Sequence, residues 1–112
     1  MTDLLTQQCR PLPSDAHALS NAEATELLQQ LTPQWTLDTE QKTIAHSYHF
    51  KNYYQTMAFV NVIAQISHQQ DHHPDLLVQY NQCTVTYSTH SVSGLSINDF
   101  ICAAKINAAQ KL

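Results

Sequence analysis

LLVQYNQCTVTYST, residues 76–89, holds two strand candidates, 76–80 and 83–89, separated by Asn81-Gln82. Two residues suffice for a tight hairpin, and Asn tolerates the left-handed backbone such a turn requires. The two runs are therefore expected to pair antiparallel. Upstream the same sign recurs. Trp35-Thr36-Leu37 is a short strand candidate, and 38–42 is a polar turn. Ile44, His46, Tyr48 and Phe50 then alternate with Ala45, Ser47 and His49, as in a half-buried strand.

Helices fill the remaining segments. Ser20-Asn21-Ala22-Glu23 has the form of a capping box. Ala24, Leu27, Leu28 and Leu31 then give one apolar face to a helix expected to end by Pro33. From about Tyr53 to Gln70, Met57, Val60 and Ala64, beside Phe59, Ile63 and Ile66, make a broad apolar stripe at helical spacing. The stop expected there is His72-His73-Pro74, because proline disfavours helical geometry at the residue before it. Ser93-Gly94-Leu95 reads as a turn that uses the only glycine for its backbone freedom. Ser96-Ile97-Asn98-Asp99 opens a last helix with Ile97, Phe100, Ile101, Ala104 and Ala108 on its buried face. Residues 1–19, with Pro11 and Pro13, read as an irregular arm, and 20–112 as one domain. The order α-β-β-α-β-β-α predicts an α+β two-layer fold: a four-stranded antiparallel sheet with three helices on one face.

Composition narrows the function. At 112 residues, 43% hydrophobic and 12% charged, the chain fits one domain and excludes disordered or collagen-like classes. No apolar run approaches the roughly 20 residues that span a bilayer, so no membrane partner is expected. The first ten residues lack the basic-then-apolar layout of a secretion signal, which predicts a cytosolic protein. Five Lys plus Arg against nine Asp plus Glu give a net charge of −4, without a basic cluster, so direct nucleic-acid binding is disfavoured. Cys9, Cys83 and Cys102 are an odd count without C-x-x-C spacing, which argues against a disulfide framework or a zinc ribbon. Cys83 and Cys102 read as small buried hydrophobes.

Histidine is the unusual component. Seven occur, four of them at 68, 72, 73 and 90. His17, His46 and His49 read as surface residues. His68 and His72 are one helical turn apart, and His73 sits where the chain turns at Pro74. His90 closes the last strand, and Asp99 falls in the first turn of the last helix. Such element ends can converge on one cleft. Imidazole gives and takes protons near neutral pH, so several rings around one substrate suit the expulsion of water by acid–base chemistry. A zinc site is the rival, from the i, i+4 histidine pair. However, position 69 is Gln, so the H-E-x-x-H arrangement is absent, and no Cys stands at a useful spacing. Neither metal nor organic cofactor is expected. A nucleophile is disfavoured too, since Ser88 and Cys83 have no partner at a telling spacing.

The string H-x3-H-H-P-x5-Y-x9-H-x8-D, carried by His68, His72, His73, Pro74, Tyr80, His90 and Asp99, resembles the pterin-4a-carbinolamine dehydratases. Trp35-Thr36-Leu37, Ser88-Thr89-His90 and Gly94-Leu95-Ser96 extend the likeness over roughly 20–109. The resemblance implies a four-stranded, three-helix fold. It also implies a lyase that dehydrates 4a-hydroxytetrahydropterin to quinonoid dihydropterin, in recycling of a tetrahydrobiopterin-type cofactor. It assigns catalysis to His72, His73 and His90, and the pterin pocket to Trp35, Asp71, Ser88, Thr89 and Asp99. His68 departs from the pattern, standing where the family often has Glu, at a position implied to bind substrate. A neutral imidazole there offers one acceptor at most. The family also implies a homodimer or homotetramer. Its alternative role is that of a dimerisation cofactor for a transcription regulator, without catalysis.

Overall fold

The computed structural model describes residues 3–31 and 34–110. The sheet has four strands, β1 (Thr36–Asp38), β2 (Thr43–His49), β3 (Asp75–Gln79) and β4 (Gln82–Tyr87). Its order is β1-β2-β4-β3, and every neighbouring pair is antiparallel. The helices are α1 (Asn21–Leu28), α2 (Tyr53–Gln70) and α3 (Ile97–Gln110). Two hairpins joined through α2 thus make the expected α+β fold. Alternation supplies the core. Ile44 and Tyr48 of β2 and Cys83, Val85 and Tyr87 of β4 are buried, whereas Ser47 and Thr84 bond to each other at 2.8 Å. Trp35, Phe59, Ile63, Phe100, Ile101 and Ile106 complete the packing.

Local chemistry sets the element ends. Ser20 Oγ accepts from Glu23 N–H at 3.1 Å, and Ser20 N–H donates to the Glu23 carboxylate at 2.8 Å. A cap of this kind contributes about 1 kcal/mol. The helix it starts ends at Leu28, and Pro33 lies outside the described residues. In β1, Thr36 rather than Trp35 is the first strand residue.

Several expectations need correction. The hairpin turn is Tyr80-Asn81 and not Asn81-Gln82, because Gln79 pairs with Gln82, and neither turn residue takes a positive φ. Strand β4 ends at Tyr87, so His90 opens a short 3₁₀ turn (His90–Val92) and does not close the strand. Helix α2 is not stopped by Pro74: Asp71 takes the left-handed conformation (φ 51°, ψ 44°), and His72 N–H bonds back to Ser67 at 3.2 Å. The buried stripe of α2 is Thr56, Phe59, Ile63, Ile66 and Gln70, with Met57 and Val60 half-buried and Ala64 exposed. Phe59, Ile63 and Ile66 are thus buried as expected, and the polar Thr56 and Gln70 extend their line in place of Met57, Val60 and Ala64. In α3, Phe100, Ile101 and Cys102 are buried as expected, but Ile97, Ala104 and Ala108 are only half-buried, and Ala103 and Ile106 are buried in addition. Gly94 has no positive φ; Ser93 has it instead. A Cβ on Gly94 would stand 2.8 Å from that of Ala18, so glycine serves close packing there.

Of the arm foreseen over 1–19, residues 1 and 2 lie outside the described residues. Leu4–Thr6 form a 3₁₀ turn capped by Asp3, and Leu4 is buried in the core. Lys105 Nζ donates to the Leu5 carbonyl at 2.9 Å, fastening this stretch to α3. Strand β3 lies at the sheet edge, exposed along its whole length. No helix among the described residues is long and apolar enough to cross a membrane.

Candidate active site

Asp99, in the first turn of α3, is fully buried. Its Oδ1 lies 2.6 Å from His72 Nε2, and its Oδ2 accepts from Thr89 Oγ1 at 2.7 Å and from Ser96 N–H at 3.0 Å. A carboxylate has only acceptor oxygens, so the hydrogens can be assigned. His72 donates through Nε2–H. Thr89 donates to Asp99, so the 2.7 Å bond between Thr89 and Ser96 carries the Ser96 hydroxyl hydrogen. The reaching-back half of the expected capping box is thus present at α3, while the Ser96 hydroxyl serves Thr89 instead. Thr89 is itself held by its N–H to the Gly94 carbonyl at 2.7 Å.

His72 follows the left-handed Asp71, which turns the chain so that the ring stacks on Tyr87 of β4 (centroids 5.5 Å apart, planes at 10°). Tyr87 is backed in turn by Trp35 at 6.3 Å. Burial disfavours the imidazolium form of His72. The Asp99 carboxylate outweighs this through its hydrogen bond and its charge, with help from Cys9 and Asp71, and the net shift is upward. A His held above its unfolded value of about 6.5 contributes fully below that pH and loses its contribution as pH rises through the folded value. The difference in melting midpoint between wild type and His72→Gln is therefore expected to be larger at pH 6 than at pH 9. Equal differences at both pH values would contradict the pairing.

Beside this pair lies a cleft of about 380 Å³, within the size range of small-molecule sites. Asp71, His72, Thr89 and Asn98 line it, together with Cys9 and Arg10 of the arm. A second hollow of about 320 Å³, beside α3, has Asp3 as its one titratable lining residue, whereas Cys9, Arg10, Asp71 and His72 line the first. The arm is moored by amides. Cys9 N–H donates to Gln70 Oε1 at 2.8 Å, and Gln70 Nε2 donates to Gln8 at 2.7 Å. Asn98 donates to the Arg10 carbonyl at 2.9 Å and accepts from Arg10 N–H at 3.3 Å.

Of the residues singled out by sequence, His72, Asp71, Thr89 and Asp99 come together here. His73 and His90 are exposed, immediately beside the lining residues His72 and Thr89. His68 and Ser88 are exposed and outside the lining. Trp35 is buried in the core, with Nε1 donating to Asn107 at 2.9 Å and Tyr87 between it and His72. Among the residues foreseen as surface, His17 and His49 are exposed. His46 is half-buried against Tyr48 at 4.1 Å, and burial, then His49, lowers its pKa. Among the described residues, no three His, Cys, Asp or Glu side chains form a group able to hold a metal ion. Sequence reasoning missed Cys9, Arg10, Gln70 and Asn98. A signal existed for Gln70, a polar residue at helical spacing from Ile63 and Ile66.

A family model described as pterin 4 alpha carbinolamine dehydratase matches residues 17–109. A protein of Nitrosomonas eutropha, assigned to the pterin-4-alpha-carbinolamine dehydratases, is 52% identical over 105 residues, covering 94% of this chain and 91% of its own. A relative from Stenotrophomonas maltophilia with the same assignment is 49% identical over 111 residues, covering 96% and 95%. A crystal structure from Brucella melitensis, described as a transcriptional coactivator/pterin dehydratase, has 30% identity and a TM-score of 0.76, covering 82% of this chain and 97% of its own. A pterin dehydratase-like RuBisCO assembly factor of the alpha-carboxysome shares the fold at 19% identity and a TM-score of 0.59, covering 69% and 89%. The chain belongs to the pterin 4 alpha carbinolamine dehydratase family.

Proposed function

We propose that this protein is a hydro-lyase that dehydrates 4a-hydroxytetrahydropterin to quinonoid dihydropterin, within recycling of a tetrahydrobiopterin-type cofactor. The observation that carries this reading is the His72–Asp99 pair at the wall of the cleft. The reaction breaks the C4a–O bond, with a proton going to the departing hydroxyl, and removes a proton from N5. Asp99 fixes the ring with Nε2–H inward, which leaves Nδ1 as the nitrogen able to exchange a proton. The raised pKa makes His72 a stronger base and keeps a larger share protonated near neutrality. His73 and His90, each next in sequence to a lining residue, are the other histidines the family likeness names and are assigned the complementary proton transfer. Asp71 and Thr89 line the space for the pterin, while Trp35, buried in the core, supports the site only through its ring contact with Tyr87.

A purely protein-binding role needs no titratable ring paired to a buried carboxylate at a cleft wall. Freshly generated 4a-hydroxytetrahydropterin, followed by stopped-flow absorbance, tests the reading. The protein is expected to accelerate appearance of the quinonoid product above the uncatalysed rate, and no acceleration would defeat it.

We infer that the protein works as a homo-oligomer in the cytosol. Support comes from β3, an edge strand with Leu76, Leu77 and Val78 exposed, the kind of edge that pairs with a second copy. Sedimentation is expected to give a dimer or larger, and Leu77→Lys to shift the population towards monomer. A wild-type monomer at micromolar concentration would contradict this.

A further inference from the structure

The proposed reaction makes no use of Cys9, which the arm brings to the cleft wall. Its Sγ lies 3.5 Å from Sγ of Cys102, a fully buried residue of α3. Cys9 is half-buried and lines the cleft, so one thiol of the pair is open to small reagents and the other is enclosed. The third thiol, Cys83, is buried in β4. The surroundings separate the two partners. The hydrogen bond from Cys102 holds the Cys9 pKa down; burial and Asp99 oppose this, while His72 and Lys105 reinforce it. Cys102 is pushed up, by its bond to Cys9 first and by burial next. A partly open thiol inclined to the thiolate, with an enclosed neighbour in contact, is the layout of an attacking and a resolving cysteine.

We propose that Cys9 and Cys102 form a redox-sensitive dithiol that closes to a disulfide and locks the arm to α3 along the cleft wall. A disulfide needs about 2.05 Å between sulfurs, so roughly 1.5 Å must be closed. The arm can supply that movement. Around Cys9 it has no regular secondary structure and rests on side-chain amides, while α3 stays packed in the core.

With oxidised glutathione as oxidant, the Cys9 thiolate attacks one glutathione sulfur and expels the other as thiolate. Cys102 then loses its proton and attacks Cys9 Sγ, expelling the second glutathione. Two protein thiols are oxidised by two electrons, one glutathione disulfide is reduced to two thiols, and the protein's two protons end on these. Such a bridge in a cytosolic protein senses redox state and is not a permanent framework. Its cysteines are 93 positions apart, so closure restricts the unfolded chain strongly.

The full chain is incubated with oxidised glutathione, alkylated with iodoacetamide and mapped by peptide mass. With alkylation carried out in denaturant, which opens the buried Cys83, the expected products are a linked Cys9–Cys102 peptide pair and alkylation of Cys83 alone. The melting midpoint should rise by about 10 °C, reversed by dithiothreitol. Cys102→Ser is expected to stop with glutathione on Cys9, and Cys9→Ser to form neither product. A bridge to Cys83, a wild type that keeps glutathione on Cys9 without closing, or three unreacted thiols would overturn the proposal. Closure needs only the two sulfurs, so its failure is distinct from failure of the dehydratase reading, which the turnover assay measures separately.

Discussion

Replacing Asp99 with alanine is expected to cost about 3 kcal/mol of folding stability, a fall of roughly 10–15 °C in melting midpoint. The carboxylate is fully buried and serves three donors at once. Its removal leaves the Thr89 hydroxyl and the Ser96 N–H without their acceptor, and the His72 ring without its counter-charge. Each stranded buried donor costs about 1–3 kcal/mol. Asp99→Asn is the sharper companion. It keeps the volume and one acceptor oxygen, so its stability loss should be about half as large. If Thr89 and Ser96 keep that oxygen, the amide NH2 faces His72 and the ring must accept at Nε2, which moves its hydrogen to Nδ1. Activity should then fall by roughly 10²-fold, because the free nitrogen is in the wrong form. Thermal unfolding and turnover of the two variants check both halves. An alanine variant that melts within 3 °C of wild type would contradict the account of Asp99.

His72→Ala is expected to lower kcat/KM for the carbinolamine by roughly 10²–10⁴-fold, the range for losing a positioned general acid or base. The loss should appear in kcat, since proton transfer belongs to the transition state. His72→Gln separates chemistry from packing. Its amide can still donate to Asp99, keeping the carboxylate satisfied, but it cannot exchange a proton at neutral pH. Glutamine and alanine should therefore be similarly inactive, with glutamine the more stable of the two. Retention of activity within about threefold in either variant would remove His72 from the proton-transfer role.

Much of the fold was legible because its signals are local. The alternation through Ile44 and Tyr48, the capping box at Ser20 and the helical span of α2 each depend on residues a few positions apart. What escaped depends on distant partners. The spacing of Gln70 from Ile63 and Ile66 hints at its burial, but its partner is an arm 61 positions away in sequence, which the stripe cannot announce. The left-handed Asp71 replaced Pro74 as the stop because short polar side chains tolerate that conformation, and no neighbouring residue signals the choice. For the candidate site, spacing and family likeness named His72, Asp71, Thr89 and Asp99, which the fold gathers. Patterns of this kind do not encode depth. Trp35 came to lie behind Tyr87, and the arm became a wall of the cleft although it begins ahead of the span the family model matches.

The moorings of that wall differ in kind from the pair beneath it. Gln70 and Asn98 carry carboxamides, which neither gain nor lose protons across the range in which imidazole changes charge. Acidification therefore alters the electrical character of one side of the cleft while the carboxamides on the other keep the same grip on the backbone. A ligand arriving at different acidities meets unchanged moorings opposite a ring of altered charge.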